Sequence, residues 1–319
     1  MPTSQAAFHR NWGHLQDRHV RTLAWLLCAA PLLDSGASVW HGAGLSPRLP
    51  PTEVMVGMLT ALDAAPAALH AALAQRPTRR LGLYAEQLLA FFLTQTGEMV
   101  AHGLQVHDAA ARTLGEFDFV LRQNGALVHW ELATKFYLFC PSAQLAPDLY
   151  DYVGPNLADT LGSKMHKILH QQLLLGQQAT ARAMLPAEIS EAHALVRGWL
   201  FYAPALAPDT LAGIAVDHCR GEILTLTQLR ALAAPGGLSG ILLERLDWLA
   251  PAQLAEADVP TWAALLQEVE QHFSHSQATL LLALVQCAAG QARELSRAMI
   301  VADDWWQQAA QARTALRPV

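Results

Sequence analysis

The sequence predicts a mixed α/β (α+β) protein in which helices flank a central sheet, and two observations support this fold class. In the middle third of the chain, patterned segments follow one another in the order helix, three strands, helix and strand. Hydrophobic residues make up 52% of the 319 residues and charged residues only 15%. This composition supplies a sizeable core and excludes general disorder.

The first 78 residues are predicted to form a helical N-terminal extension. Residues 15–33 place leucine and valine at helical spacing between charged positions. Residues 52–61 and 65–74 indicate two short, alanine-rich helices that Pro66 separates. A basic stretch with a proline follows at residues 76–80, and it marks the boundary to the next region.

A core region is predicted over residues 79–205. Residues 81–94 indicate a helix with an apolar face around Glu86, and residues 98–107 indicate a strand. The other predicted elements of this region are a hairpin at 115–139, a helix at 157–172 with a helical continuation to 185, and a strand at 194–202.

The remaining residues, 206–319, are predicted to form an α+β C-terminal region. No constellation of side chains in this region indicates chemistry. Its predicted elements are strand or turn segments at 213–227 and 239–249, helices at 260–272 and 277–289, and a short strand at 297–301 before a final helix.

The clearest pattern in the chain is the hairpin of the core region. Asn124 and Gly125 supply the positive φ angles that a tight turn requires. Because side chains alternate between the faces of a strand, Asp118 is expected on one face of the first strand, with Phe117 and Phe119 on the other. The first strand therefore pairs an apolar face with an acidic one.

On the returning strand, the same alternation groups Glu131 and Lys135 on one face, and the turn is expected to bring Asp118 close to Glu131. Two carboxylates on adjacent strands form a hard oxygen site that suits Mg²⁺ or Mn²⁺. Such an ion polarises a phosphate and activates water, and a nearby lysine stabilises the developing negative charge. An ordinary polar, solvated sheet face is the alternative interpretation.

Lysine usage points to the same region. Of the 21 basic residues only three are lysine, namely Lys135, Lys164 and Lys167, and all three fall in the middle third of the chain. Lysine is a compact charge whose pKa shifts readily, and arginine does not replace it where this property matters. We interpret the clustering as functional, with chance and a general preference for arginine as the alternative.

The hairpin carries a resemblance to a known superfamily. The segment 115–119, followed by Glu131 and Lys135 on the returning strand, resembles the Gly-Glu-x-Asp … Glu-x-Lys signature of the PD-(D/E)XK nuclease superfamily, whose core has the same αβββαβ order. That resemblance covers about residues 80–203. More narrowly, nearly the whole chain resembles a bacterial family described only as a domain of unknown function and placed in that superfamily. The segments that carry the narrower resemblance are 20–27, 131–138 and 296–305.

The resemblance implies a restriction-endonuclease-like core and a set of metal ligands. Asp118 and Glu131 would hold Mg²⁺ or Mn²⁺, with the backbone carbonyl of Leu132 nearby and Glu86 as an additional ligand. An exposed helix glutamate is the alternative interpretation of Glu86.

The sequence departs from the family pattern at the lysine. Ala133 occupies the usual lysine position, and Lys135 comes two residues later. The catalytic role then falls to Lys135, or passes to Lys164 or Lys167 on the next helix. A degenerate, inactive site is the other interpretation of this departure.

The helix at 157–172 is the candidate nucleic-acid contact. Lys164, Lys167 and Gln171 are spaced three and four residues apart and share one face. The resemblance implies that this face contacts nucleic acid, DNA in preference to RNA, while a solvated helix face is the alternative. The formal net charge of −6 argues against a general nucleic-acid binder but allows such a local patch.

Several other classes of protein are not indicated. The four cysteines are scattered without a CxxC pair, and no glycine-rich nucleotide loop follows a predicted strand. No segment resembles a signal peptide or a membrane span, so we expect a cytoplasmic protein without membrane contact.

Three functions stay open at this point. The first is a metal-dependent nuclease that hydrolyses phosphodiesters with Mg²⁺-activated water. The second is a catalytically degenerate module of the same fold that binds nucleic acid or a protein. The third is an interaction protein that docks a partner through its terminal regions. The sequence makes no prediction of the oligomeric state.

Overall fold

A ten-stranded mixed sheet with helices on both faces forms the centre of the protein, as the computed structural model shows for the residues it describes. The predicted fold class, a mixed α/β protein with a central sheet flanked by helices, is thereby confirmed. The described residues are 3–108, 110–142, 145–208, 210–232 and 238–318.

The first 78 residues contain four α-helices among their described residues. The Asp17 carboxylate accepts hydrogen bonds from the backbone N–H groups of His19 and Val20 and so caps the second helix. The four helices of this extension are α1 (Ser4–Trp12), α2 (Arg18–Cys28), α3 (Thr52–Ala64) and α4 (Ala67–Gln75). Within the described residues no single helix is long and apolar enough to cross a membrane, and α3 with α4 meets that test only as a pair bent by 83°.

In the core region a helix, three strands, a helix and a strand follow one another, with a short strand added before the second of these helices and a further helix added before the last strand. The turn between the second and third strands has positive φ at Asn124 and Gly125, 51° and 84°, as expected. The elements are α5 (Leu81–Gln95), β1 (Met99–His107), β2 (Thr113–Gln123), β3 (Ala126–Phe139), β4 (Tyr152–Val153), α6 (Leu161–Lys167), a π-helical turn (Ile168–Gln172), α7 (Ala179–Met184) and β5 (Ile189–Tyr202).

The sheet combines antiparallel and parallel pairs. β1, β2 and β3 are antiparallel neighbours, and the chain crosses the sheet through α6 so that β5 pairs parallel to β3. β6 then lies directly beside β5, so the core region and the C-terminal region share one sheet. The C-terminal elements are β6 (Arg220–Thr225), α8 (Leu226–Ala231), β7 (Leu238–Leu242), β8 (Gln253–Ala255), α9 (Trp262–Phe273), β9 (Leu280–Ala288), β10 (Gln291–Val301) and α10 (Trp305–Leu316).

One predicted element is wrong. The sequence pattern predicts a helix at residues 277–289, but most of this segment is the strand β9, which pairs with β10 on one side and β7 on the other. Leu281, Leu282 and Ala283 are consecutive and all buried, because both faces of this inner strand are covered. A strand buried on both faces shows no alternation, so its pattern resembles that of a buried helix.

Apolar clusters cover both faces of the sheet around β3. On one face, α2 and α5 pack against the sheet, and Trp25 stacks on Trp199 with ring centroids 6.2 Å apart. On the other face, α6 packs through Leu161 into a cluster that includes Ala133 of β3. Because Glu131 lies two residues before Ala133, its side chain is on the α6 side of the sheet.

Gly198 of β5 permits the close pairing of β5 with β3. It lies opposite Lys135, and a Cβ atom at this position would lie only 1.8 Å from the Lys135 carbonyl oxygen. We expect Gly198→Ala to lower the free energy of unfolding by about 1–3 kcal/mol, since the two backbones must separate. Urea denaturation measures this loss as a lower midpoint.

A second glycine provides the matched control. Gly57 lies within α3, and a Cβ atom added there would meet open space, with none of its described neighbours within 4 Å. Gly57→Ala is therefore expected to stabilise the protein by about 0.5–1 kcal/mol. An unchanged midpoint for Gly198→Ala would show that the β3–β5 contact is not tight.

Candidate active site

The hairpin brings Asp118 and Glu131 together, as the sequence predicts. The ladder between β2 and β3 runs from the turn to the pair Phe119 and Trp130. Beyond that pair, the Asp118 carboxylate accepts a hydrogen bond of 2.8 Å from the backbone N–H of Leu132. The Asp118 carboxyl group is therefore anchored to the strand that carries Glu131.

Side-chain alternation fails at Asp118, however. Phe119 packs in the cluster beneath α5, whereas Phe117 packs with Val120 in a cluster on the opposite face. The expectation that both phenylalanines share one face is therefore wrong. On the neighbouring strand β1, Gly103 has φ of +63° between residues paired with β2, so both strands depart from regular geometry here.

Glu131 is 2% exposed and lies at the centre of a short polar network. Its Oε1 atom accepts a hydrogen bond from the side-chain amide of Gln172. The Gln172 carbonyl oxygen in turn accepts one of 3.4 Å from Lys164 Nζ. Glu131 Oε2 has no hydrogen-bond partner among the described residues and lies 3.9 Å from Nε2 of the buried His129.

The two carboxyl groups hold a proton more tightly than free acids do. Burial raises the pKa of Asp118, and the negative charges of Glu86 and Glu116 add to the effect. Burial also raises the pKa of Glu131, and Asp118 raises it further. A half-buried acid beside a buried one, both with a raised pKa, forms a site where added positive charge is stabilising.

Lys164 is the cation that acts on both acids, because its charge lowers the pKa of Asp118 and of Glu131. Lys135 lies in the same region: burial lowers its pKa to about 8, and repulsion by Lys164 contributes to the shift. Attraction by Asp159 and Glu131 opposes that shift. The structure thus groups two of the three lysines around Glu131, while Lys167 also acts on the Glu131 carboxyl group.

Glu86 of α5 lies near the acid pair, since its charge raises the pKa of both Asp118 and Glu131. Its Oε1 atom is 2.8 Å from His102 Nε2 on β1. Glu86 is therefore held by a histidine at the edge of the site.

A cavity of about 390 Å³ opens beside the acid pair, between the beginning of β2 and the π-helical turn. Three of the predicted site residues, Asp118, Lys167 and Gln171, line it together with Gln172. A larger groove of about 660 Å³ lies elsewhere, between α2 and β7. The smaller cavity is the one that reaches the Asp118 carboxyl group.

The side chains at this site supply some, but not all, of the ligands that a hard cation requires. The unpartnered Glu131 oxygen and the raised pKa values of both acids are what a site lacking positive charge shows. Among the described residues, however, no three His, Cys, Asp or Glu side chains are grouped so as to hold a metal ion together. Asp118 and Glu131 would thus supply two ligands, with the remainder from water or substrate, as is usual for Mg²⁺.

The sequence pattern misses Gln172, which contacts both Glu131 and Lys164. Regular helical spacing from Lys164 selects Lys167 and Gln171 as its neighbours. The π-helical turn adds one residue to the helical repeat, so that Gln172 reaches the acid pair instead. No sequence signal singles out this position, because the Gln-Gln pair at 171 and 172 also occurs at 177–178 and 307–308.

These features define a mixed α/β protein whose central sheet carries two carboxyl groups, those of half-buried Asp118 and buried Glu131, beside a lysine cluster. The chain belongs to the family described as a domain of unknown function (DUF1853), whose family model matches residues 21–301. The predicted membership of a domain-of-unknown-function family is thereby confirmed. No curated protein matches the chain. No solved structure matches it either.

Proposed function

We propose that this protein is a metal-dependent nuclease with a PD-(D/E)XK-like core at residues 79–205. The observation that carries the proposal is the pair of half-buried Asp118, which lines a cavity, and buried Glu131, which Gln172 links to Lys164. Paired acids and a lysine next to an accessible cavity are suited to hydrolysis of a phosphodiester.

Each side chain has a distinct role in this proposal. Asp118 and Glu131 hold Mg²⁺ or Mn²⁺, which supplies positive charge to the phosphate and lowers the pKa of water. The Leu132 N–H keeps the Asp118 carboxylate in place. Lys167 and Gln171, on the cavity wall, bind the flanking phosphates.

The cationic role at the scissile phosphate is assigned to Lys164. It hydrogen-bonds within the network around Glu131, and its charge acts on both acids. Burial lowers the pKa of Lys135 to about 8, so it exchanges a proton near neutral pH and assists the water. A lysine from α6 therefore compensates for Ala133 at the usual motif position.

A catalytically degenerate module that binds nucleic acid or a protein is the second candidate. The observation that favours it is that no three-ligand metal group occurs in the described part of the chain. This candidate predicts binding without cation affinity and without cleavage.

Incubation of the full chain with labelled DNA and RNA in Mg²⁺ or Mn²⁺ tests the proposal. We expect cleavage that Asp118→Asn and Lys164→Ala each lower about 100-fold or more, the order of loss when one charge-stabilising group leaves an active site. Calorimetry with Mn²⁺ alone should show binding to the wild type and not to Asp118→Asn.

Asp258→Asn, on an exposed turn of the C-terminal region, is the matched control and should cleave at the wild-type rate. Equal cleavage by wild type and Asp118→Asn would overturn the assignment of the site. Nucleic-acid binding by a wild type that neither cleaves nor binds Mn²⁺ would establish the degenerate module instead.

A further inference from the structure

The cavity beside Asp118 is narrow, and its mouth and outer rim carry apolar and aromatic side chains. From these features we infer that the site accepts single-stranded nucleic acid, at a free end or an unpaired segment, in preference to intact duplex. The inference rests on the proposed function and names its substrate class.

The depth of the acid pair is the first argument. Asp118 lines the cavity, and Glu131 lies behind it with almost no exposed surface. At about 390 Å³ the cavity is near the lower end of the ~300–1,000 Å³ range of small-molecule sites. The sugar–phosphate backbone of an unpaired strand can bend into such a space. In an intact duplex the backbone is held on the outside of a wide double helix and cannot bend in.

The apolar mouth is the second argument. Leu114 lines the cavity and is 42% exposed, and Leu174, next to the π-helical turn, is 41% exposed. Between them the walls approach closely, since a Cβ atom at Gly115 would lie 3.0 Å from Leu175 Cδ1. Leu114 at the entrance and Leu174 on the neighbouring turn thus present apolar surface to the faces of unpaired bases, which stacking hides inside a duplex.

The outer face of α6 and its π-helical turn is the third argument. His166, Lys167, His170 and Gln171 are all exposed there, and the two imidazole rings lie with centroids 4.6 Å apart. Aromatic rings beside a cation form a platform on which successive bases stack while the backbone follows the charge. The platform leads directly to the cavity, because Lys167 and Gln171 also line the cavity wall.

The net charge of the chain is consistent with contact to only a short stretch of nucleic acid. Duplex binding draws most of its affinity from many phosphate contacts. Here the cluster of cations consists of Lys135, Lys164 and Lys167, in a chain with a net charge of −6. Lys167, on the cavity wall, and Lys164 neutralise the phosphates of a short stretch of one strand, and stacking supplies the rest of the affinity.

The experiment compares three probes of the same sequence with the wild type and Mn²⁺: a single strand, a blunt-ended duplex and a duplex with a single-stranded overhang. We expect the single strand and the overhang to be cleaved at least about tenfold faster, since stacking of one base corresponds to about that factor. Cleavage of the blunt duplex at an equal or higher rate would overturn the inference.

Binding to the Asp118→Asn variant separates this inference from the proposed function. If no probe is cleaved, but the variant binds the single strand at least about tenfold more tightly than the duplex, the substrate class holds and the nuclease proposal fails. If the variant binds neither probe, or binds the duplex more tightly, the substrate class is wrong.

The mouth is tested with Leu114→Ser combined with Leu174→Ser. We expect this double variant to lose most of the preference for the single strand, about tenfold in affinity. Leu206→Ser, at a leucine that is 43% exposed in a distant turn, is the matched control and should bind as the wild type does. A double variant that folds, by its circular dichroism spectrum, and keeps the full preference would contradict the role of the two leucines.

Discussion

Replacing Arg297 with alanine is expected to lower the free energy of unfolding by about 3–5 kcal/mol, the cost of leaving one partner of a buried ion pair alone. Arg297 and Glu294 on β10 both have fully buried side chains. Their atoms Nε and Oε1 are 2.6 Å apart, and Nη2 lies 2.8 Å from Oε2. Alanine at position 297 leaves the Glu294 carboxylate without its charge partner inside the protein.

Arg297 also joins three parts of the fold. Its guanidinium group donates to the carbonyl oxygens of Trp248 and Ala250, at 2.6 and 3.1 Å, and lies 3.7 Å from the ring centroid of Trp199. Loss of the arginine therefore leaves two buried carbonyl groups without these donors, in addition to the charge. The segment before β8 should loosen first.

Urea denaturation of Arg297→Ala and of Arg230→Ala provides the measurement and its matched control. Arg230 forms an ion pair of similar length, 2.7 Å, with Glu270, but both side chains are about half exposed. Its removal is expected to cost only about 0–1 kcal/mol. Similar losses for the two variants would show that burial does not govern the strength of the pair at β10.

Replacing Glu131 with glutamine is expected to stabilise the protein, by an amount that grows with pH. Burial, and then the charge of Asp118, raise the pKa of Glu131 in the folded state. Above the ordinary carboxyl pKa of about 4, the unfolded chain releases this proton while the folded protein retains it. The folded state then binds more protons, so the stability of the wild type falls as pH rises, by up to about 1.4 kcal/mol per pH unit.

Glutamine removes this proton without removing the acceptor for Gln172. Wild type and Glu131→Gln should be nearly equal in stability near pH 4 and diverge above it. Lys135, whose pKa burial lowers to about 8, has the opposite effect above that pH, and the attraction of Glu131 for it is lost in the variant. The divergence of the two proteins is therefore read from the points below pH 8, where Lys135 is protonated in both.

Denaturant midpoints measured from pH 4 to pH 9 test this expectation. Asp118→Asn is the comparison variant, because burial also raises the pKa of Asp118, and it should remove part of the same slope. Parallel curves for wild type and Glu131→Gln would show that Glu131 is ionised in the folded protein at neutral pH.

The acid pair could be predicted because its determinants are local. A tight turn at Asn124 and Gly125 fixes which residues of β2 and β3 are neighbours, and this is sufficient to bring Asp118 to Glu131. Strict alternation along β2 does not predict the faces of the residues around Asp118. The departure from alternation involves Gly103 on β1, which lies outside the β2–β3 hairpin.

The contribution of α6 could be predicted only in part. Its lysines are identified by their rarity, but the position of Gln172 depends on a π-helical turn that spacing rules do not anticipate. The pattern misses β9 for a different reason: Leu281 and Leu282 point to opposite faces and pack into two separate clusters, one of which includes α9, and most members of these clusters lie elsewhere in the sequence. Local patterns thus predict contacts within a hairpin and miss those that tertiary packing imposes.

The pairing of β5 with β6 has a consequence for any shortened form of the protein. Leu200, Phe201 and Tyr202 of β5 pair with the first residues of β6. A chain that ended near residue 205 would leave this side of β5 as a bare edge, with unpaired N–H and C=O groups next to large apolar side chains. Such an edge is a template for aggregation. The solubility of the region that carries Asp118 and Glu131 therefore depends on strands that contribute no side chain to the site.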